Sequence, residues 1–156
     1  MNKVQLSSNF YKHVQGYWSL DLATCHKEAF EMLNEIDNPL LLELYAYSNN
    51  HYVCENLPGK DLGTWWWESD RSPDWAYNFL NDVHNLYYEF SKKTLVQDGV
   101  TYRLSYVDMH PGNVLVNKNG VAKLIDYDSI GWTLEKNVIY FHAKATHAIE
   151  HFLLMG

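Results

Sequence analysis

A chain of 156 residues is the size of one domain, and with 47% apolar residues it can bury a core of its own. The net charge of -7 argues against a nucleic-acid or anionic-membrane surface. The 2 cysteines form no C-x-x-C pair, which excludes a zinc knuckle or a redox dithiol, and the N-terminus lacks the apolar region of a signal peptide. We therefore expect a cytoplasmic protein, in the host cytoplasm if a phage encodes it.

The first half of the chain predicts two hairpins separated by one helix. The segments KVQL and FYKHV flank SSN, which indicates a turn between two strands. Residues 22–36 carry apolar side chains at helical spacing, and Asp21 precedes them as an N-cap. The segments PLLLELYAY and HYVCENL then flank SNN and predict the second hairpin.

The second half predicts two longer helices and a third hairpin. Ser72-Pro73 combines a capping residue with proline at the first helical position and opens a helix over about 73–93. The strands NVLV and VAKLI flank NKNG, and a last amphipathic helix covers about 137–155. The resulting order, ββ-α-ββ-α-ββ-α, contains no repeating βαβ unit. We therefore predict an α+β protein with antiparallel sheet.

The segment SYVDMHPGNVLVNKNGVAKLIDYD, residues 105–128, carries the candidate chemistry. Asp108 and Asn113 form the pattern D-x-x-x-x-N around HPG, and the proline and glycine force a loop there. Asn113 opens the first strand of the third hairpin and Asp126 closes the second, so antiparallel pairing is expected to bring them side by side. Carboxylate and amide oxygens are hard ligands that suit Mg²⁺. The pattern therefore predicts a magnesium site at this hairpin.

These features together resemble the catalytic loop and metal-binding strand pair of the protein-kinase-like superfamily. The form D-M-H-P-G-N-V-L-V … I-D-Y-D is most similar to the aminoglycoside phosphotransferase and choline kinase branch, and kinases of the lipopolysaccharide and RIO type are also similar. The resemblance implies that Asp108 accepts the proton of a substrate hydroxyl, and that Asn113 and Asp126 hold Mg²⁺ on ATP. Asp128 matches an extra acidic residue of the phosphotransferase branch. Tyr106 stands where the family often has a scaffolding histidine, so the difference does not exclude catalysis.

The resemblance extends to the phosphate-binding residues near the N-terminus. Lys12, in the strand-like NFYKHV, matches the lysine that grips the ATP phosphates. Glu28 matches the helix glutamate that holds this lysine, and Glu31 is the competing choice. The segment QLSSNF before Lys12 contains no glycine, so a glycine-rich loop over the phosphates is absent or rudimentary.

The segment HYVCENLPGKDL resembles the strand and hinge that hold adenine. In this interpretation the main chain of Glu55 and Leu57 faces the adenine edge. Asp61 would reach the ribose, and Leu115 would lie under the ring. A strand followed by a Pro-Gly turn explains the hinge segment equally well by itself.

The implied architecture is a reduced protein-kinase-like fold over residues 1–156. Residues 1–57 would form an N-lobe of small antiparallel sheet with one helix, and 58–156 a truncated, mainly helical C-lobe. The expected function is transfer of the ATP γ-phosphate to a hydroxyl acceptor, a small molecule in preference to a protein. The alternative is a pseudokinase-like module that binds nucleotide or a partner without catalysis.

The tandem tryptophans Trp65–Trp67 have two interpretations, because three consecutive rings cannot all face one core. They are a candidate surface for a protein partner or for a homo-oligomer. The interpretation that we favour is packing between the two lobes, with one ring exposed to solvent.

Overall fold

Helices and antiparallel strands together build the part of the chain that the computed structural model describes, residues 3–6, 22–47, 51–106, 108–127 and 130–155. The strands are β1 (Lys3–Leu6), β2 (Leu44–Tyr47), β3 (His51–Cys54), β4 (Lys60–Asp61), β5 (Thr94–Gln97), β6 (Val100–Tyr106), β7 (Val114–Val116), β8 (Ala122–Leu124) and β9 (Ile130–Leu134). The helices are α1 (Leu22–Leu33), α2 (Leu62–Glu68), α3 (Pro73–Ser91) and α4 (Val138–Met155). This α+β composition confirms the predicted fold class.

The first sheet has the order β1-β3-β2, with β3 paired to both neighbours. The β2–β3 pairing confirms the second predicted hairpin, and a register shift between Leu44 and Ala46 bends it. β1 is the predicted KVQL strand, and it pairs with β3 from Lys3 opposite Cys54. The remainder of the first predicted hairpin, FYKHV, lies outside the described residues.

The first predicted helix is confirmed, but α1 ends at Leu33, three residues before the expected end at Ile36. The next residues form a turn, in which the N–H of Ile36 donates to the carbonyl of Leu33 at 3.0 Å. Asn38 and the following proline keep the chain from resuming a helix after this turn. The Asn38 side chain accepts from the N–H of Leu40 at 2.9 Å, a local hydrogen bond that competes with helix. Asp21 lies outside the described residues.

The second sheet, β4-β7-β8, contains the third predicted hairpin. Val114 lies opposite Leu124 in the antiparallel pair β7–β8. The turn closes because the Asn117 side chain accepts from two backbone N–H groups, and because Gly120 adopts a φ of +80° that favours glycine. This hairpin therefore forms as its Asn-Gly signal predicts.

The predicted element order is wrong in omitting a third sheet, β5-β6-β9, and the short helix α2. β5 and β6 join through Asp98 and Gly99, which have φ values of 53° and 77°, as a two-residue hairpin turn requires. Most of β5 is exposed, so its sequence shows little apolar periodicity. β9 is buried along nearly its whole length, so its sequence lacks the alternation of apolar and polar residues that marks a half-buried strand. α2 begins where the Asp61 side chain accepts from the N–H of Thr64 at 3.1 Å.

Two of the three tandem tryptophans, Trp65 and Trp66, pack in or against the hydrophobic core. Trp66 is buried, and the ring of Trp65 lies 4.4 Å from that of Trp75, whose indole N–H donates to the carbonyl of Gly120 at 2.8 Å. Trp67 remains 55% exposed, with the Arg71 guanidinium 4.9 Å from its ring centre. This arrangement agrees with packing and one exposed ring, while a partner surface remains a prediction.

Helices α3 and α4 confirm the two long predicted helices. The Ser72 hydroxyl accepts from the N–H of Trp75 at 3.3 Å and caps α3, as expected from Ser72-Pro73. α3 and α4 pack together, and His84 on α3 lies 2.7 Å from Glu150 on α4. In the described part of the chain, no helix has the length and apolar character needed to cross a bilayer.

Candidate active site

The loop between β6 and β7 holds the first two candidate residues in contact. The side-chain nitrogen of Asn113 donates to the backbone carbonyl of Asp108 at 2.9 Å and to its carboxylate Oδ2 at 3.3 Å. Asn113 ends a 3₁₀ turn, Pro111–Asn113, and is only 8% exposed. Both hydrogen bonds use the amide nitrogen, and within the described residues the amide oxygen has no partner. Asn113 can therefore fix the Asp108 loop and still offer an oxygen ligand.

His110 also faces the Asp108 carboxylate. Its Nδ1 accepts from the N–H of Gly112 at 3.0 Å, so the neutral ring carries its proton on Nε2. Nε2 lies 3.6 Å from Oδ2 of Asp108, which is too far for a hydrogen bond, although the N–H points a positive dipole toward the carboxylate. In the sequence, His110 stands out only as part of the HPGN segment, and its two-residue spacing from Asp108 is the one local signal of this contact.

Asp126 lies at the same end of the β7–β8 hairpin as Asn113. The N–H of Ile125 donates to the carbonyl of Asn113 at 2.9 Å, which extends the hairpin pairing by one more step. Asp126 itself has a φ of 60°, a left-handed conformation that is rare for residues other than glycine. Such strained backbone positions cluster at functional sites. The hairpin thus places the backbone of Asn113 beside the segment that carries Asp126, and their role as cation ligands stays a prediction.

Tyr106 connects the strand before Asp108 to the strand before Asp126. Its hydroxyl donates to the carbonyl of Ile125 at 2.5 Å, and its own carbonyl accepts from the Tyr87 hydroxyl at 2.6 Å. Burial is the main reason that the pKa of Tyr106 lies well above its usual value. The carboxylates of Asp126 and Asp108 raise this pKa further, in that order, so both negative charges act on one buried phenol. Tyr106 therefore bridges the two strands.

Tyr127, the residue after Asp126, is fully buried and anchored to the first sheet. Its hydroxyl accepts from the N–H of Leu42 at 2.5 Å, and its own N–H donates to the Tyr52 hydroxyl at 3.0 Å. The two tyrosine rings lie 5.6 Å apart. No local signal in the sequence marks Tyr127, because its partners lie far away along the chain and a tyrosine between two aspartates has no distinctive pattern.

Two of the predicted nucleotide contacts lie side by side. Asp61 and Leu115 are opposite each other in the β4–β7 pairing. Leu115 is only half-buried, whereas Val114 and Val116 are buried, so its side chain points to the other face of the sheet. The Asp61 carboxylate caps α2, and the hydrogen bonds from the N–H and the hydroxyl of Thr64 lower its pKa. The capping role adds to the ribose contact that the resemblance implies for this aspartate, and that contact stays a prediction.

The other predicted nucleotide contacts are only partly described. The N–H of Glu55 donates to the carbonyl of Glu43 at 2.9 Å, and both Glu55 and Leu57 are half-buried just after β3. Glu28 lies exposed on α1. Its expected partner Lys12 lies outside the described residues, and so does Asp128, so these assignments remain predictions.

The donor atoms at this site suit a hard cation that keeps few protein ligands. Within the described residues, no group of three or more His, Cys, Asp or Glu side chains is arranged to hold a metal. Mg²⁺ is commonly held by one or two protein oxygens together with substrate phosphates and water. The amide oxygen of Asn113 and the carboxylate of Asp126 fit that requirement.

No protein-family model matches this chain, and its comparison with curated proteins gives no significant match.

Proposed function

We propose that this protein is a phosphotransferase that moves the γ-phosphate of ATP to the hydroxyl of a small molecule in the cytoplasm. The observation that carries the proposal is the contact of Asn113 with both the backbone and the carboxylate of Asp108. Asp126, at a strained backbone position, follows a strand that is hydrogen-bonded to Asn113. A general base next to two cation ligands is the arrangement that phosphoryl transfer to a hydroxyl needs.

In this proposal Asp108 takes up the proton of the acceptor hydroxyl. Asn113 donates to Oδ2 of the carboxylate and His110 faces the same atom, so Oδ1 would be the oxygen that receives the proton. Asn113 and Asp126 would hold Mg²⁺, which neutralises charge on the ATP phosphates when bound. Rate enhancement by these residues would come from positioning and fixed charge and would involve no covalent intermediate.

We also propose a kinase-like division of the chain around this site. The first sheet and α1 would belong to a small lobe, residues 1–57, and the remainder to a larger lobe, residues 58–156. ATP would lie between them, with Glu55, Leu57, Asp61 and Leu115 around adenine and ribose. Lys12, braced by Glu28, would hold the phosphates, and Asp128 would assist with the cation. The tyrosine contacts that join the Asp126 segment to the first sheet support this division, because they connect both parts at the proposed metal site.

The test is calorimetric titration with ATP, with and without Mg²⁺, together with phosphate release to water as the acceptor. We expect Mg²⁺-dependent binding that is lost in Asp126→Ala. Asp108→Asn should keep this binding but lower phosphate release by about 10²–10⁴-fold, the usual contribution of a general base. The matched control is Asp98→Asn in the exposed β5–β6 turn, which should change neither quantity. Unchanged phosphate release in Asp108→Asn would refute the mechanism.

A second candidate is a module that binds nucleotide or a protein partner without catalysis. The exposed ring of Trp67 favours it, because large exposed aromatic side chains often mark contact surfaces. Mg²⁺-dependent ATP binding without phosphate release in the wild type, together with partner capture that is lost in Trp67→Ala, would support this candidate over the enzyme.

A further inference from the structure

A pocket of about 720 Å³ lies beside the β4–β7 pairing, one residue along from the predicted nucleotide contacts Asp61 and Leu115. Its walls are the segment 58–60, the C-terminal half of α2, and the β7–β8 turn with the end of β7, residues 116–119. We call it the turn pocket. Neither Asp108 nor Asn113 nor Asp126 contributes to its walls. Pockets that hold small molecules have volumes of roughly 300–1,000 Å³, so the turn pocket has the capacity for one.

The walls of the turn pocket are fixed by packing. The Trp65 ring lies 4.4 Å from that of Trp75, and the Trp75 indole N–H holds the carbonyl of Gly120 in the turn. On the other side, Gly59 packs so closely on β7 that an added Cβ would lie 2.5 Å from the carbonyl oxygen of Val116. The pocket is therefore preformed, and a ligand would spend little binding energy on ordering it.

The polar groups of the turn pocket have an excess of positive charge. Lys60 and Glu68 neutralise each other in an ion pair of 2.5 Å. Lys118 is exposed and makes no ion pair within the described residues. The pocket thus carries one unmatched ammonium group, although the whole chain has a net charge of -7.

We propose that the turn pocket binds a small, flat molecule with one anionic group, such as an aromatic carboxylate, sulfonate or phosphate. The ring of the ligand would contact the indole of Trp65, where it gains apolar burial and ring–ring contact. The anionic group would lie at Lys118, the unmatched positive charge. A neutral ring would gain only the first of these interactions, and a cation would be repelled.

The test uses 8-anilino-1-naphthalenesulfonate as the anionic probe and N-phenyl-1-naphthylamine as the same ring system without the charge. We expect one sulfonate probe to bind per chain, and Lys118→Glu to weaken it about tenfold, because a nearby attraction becomes a repulsion. The neutral probe should change less than about twofold. The matched control is Lys144→Glu, the same charge change at an exposed position of α4, which should leave both probes unaffected.

Several results would overturn the proposal. Equal weakening of the anionic probe by Lys118→Glu and Lys144→Glu would mean that only the net charge matters. Displacement of the probe by Mg-ATP would assign it to the proposed phosphotransfer site. If the sulfonate probe shows no saturable binding, the turn pocket does not bind this class of ligand. Trp65→Leu should weaken both probes, and if this variant does not fold, Lys118→Glu decides alone.

Discussion

Acidification should destabilise the folded chain through His142 on α4. Its Nε2 lies 3.0 Å from the hydroxyl of Ser105, and its ring lies 4.5 Å from that of Tyr87. Burial lowers the pKa of His142 to about 4. The folded protein therefore keeps this imidazole neutral at a pH where the unfolded chain protonates it.

The sign follows from proton linkage. Below the ordinary histidine pKa of about 6.5, the unfolded state binds a proton that the folded state does not bind. The free energy of unfolding therefore falls as the pH falls. The stabilising contribution is complete above about pH 6.5 and is lost as the pH drops toward the folded pKa of about 4. At about 1.4 kcal/mol for each pKa unit, the full loss is about 3 kcal/mol, of which about 2 kcal/mol falls between pH 7 and pH 5.

The assay is urea unfolding of the wild type and of His142→Gln at about pH 7 and about pH 5. Glutamine can still hydrogen-bond to Ser105 but does not titrate. We expect the free energy of unfolding to fall by about 2 kcal/mol more in the wild type than in the variant. The matched control is His147→Gln, an exposed histidine on the same helix, which should keep the pH dependence of the wild type.

Equal pH dependence in the wild type and in His142→Gln would refute this reasoning. It would mean that His142 titrates with an ordinary pKa in the folded protein, and hence that water reaches the ring. NMR titration of the imidazole signal checks the same point directly, since a folded-state pKa near the usual 6.5 would contradict burial as the controlling effect.

Two further substitutions test single contacts by urea unfolding. Tyr127→Phe removes the hydroxyl that accepts from Leu42 and leaves a buried N–H without that partner, so we expect a loss of about 1–3 kcal/mol. Tyr77→Phe, at a 73% exposed position, is its control, and an equal effect of both changes would contradict the role of the contact. Gly59→Ala should lower the free energy of unfolding by about 1–3 kcal/mol, because the added Cβ would meet the carbonyl of Val116. An unchanged free energy of unfolding would show that the backbone of β7 can move aside at little cost.

Local sequence signals predict the backbone of the candidate site but not its side-chain contacts. The loop from Asp108 to Asn113 and the hairpin to Asp126 follow from signals a few residues apart, namely the HPG break, the apolar strands and the Asn-Gly turn. Those signals were sufficient to place Asn113 and the Asp126 segment on one end of a hairpin. They could not show that the Asn113 side chain donates to Asp108, because that hydrogen bond depends on the backbone conformation inside the loop.

The elements of the fold likewise separate into those that local sequence signals predict and those that they do not. The sequence by itself determined the helices α1, α3 and α4 and two of the hairpins, since caps, prolines and helical spacing act within one or two turns of chain. It also contained a missed signal, the Asp98-Gly99 turn between β5 and β6, whose exposed strand lacks a clear apolar alternation.

Only the tertiary structure decided which distant elements meet. β9 pairs with β6 although the whole β7–β8 hairpin lies between them in the chain. The Tyr127 hydroxyl meets Leu42 across 85 residues, and Trp66 turns inward while Trp67 remains in solvent. Local patterns cannot encode such choices, because each depends on which apolar surfaces of distant segments are buried together.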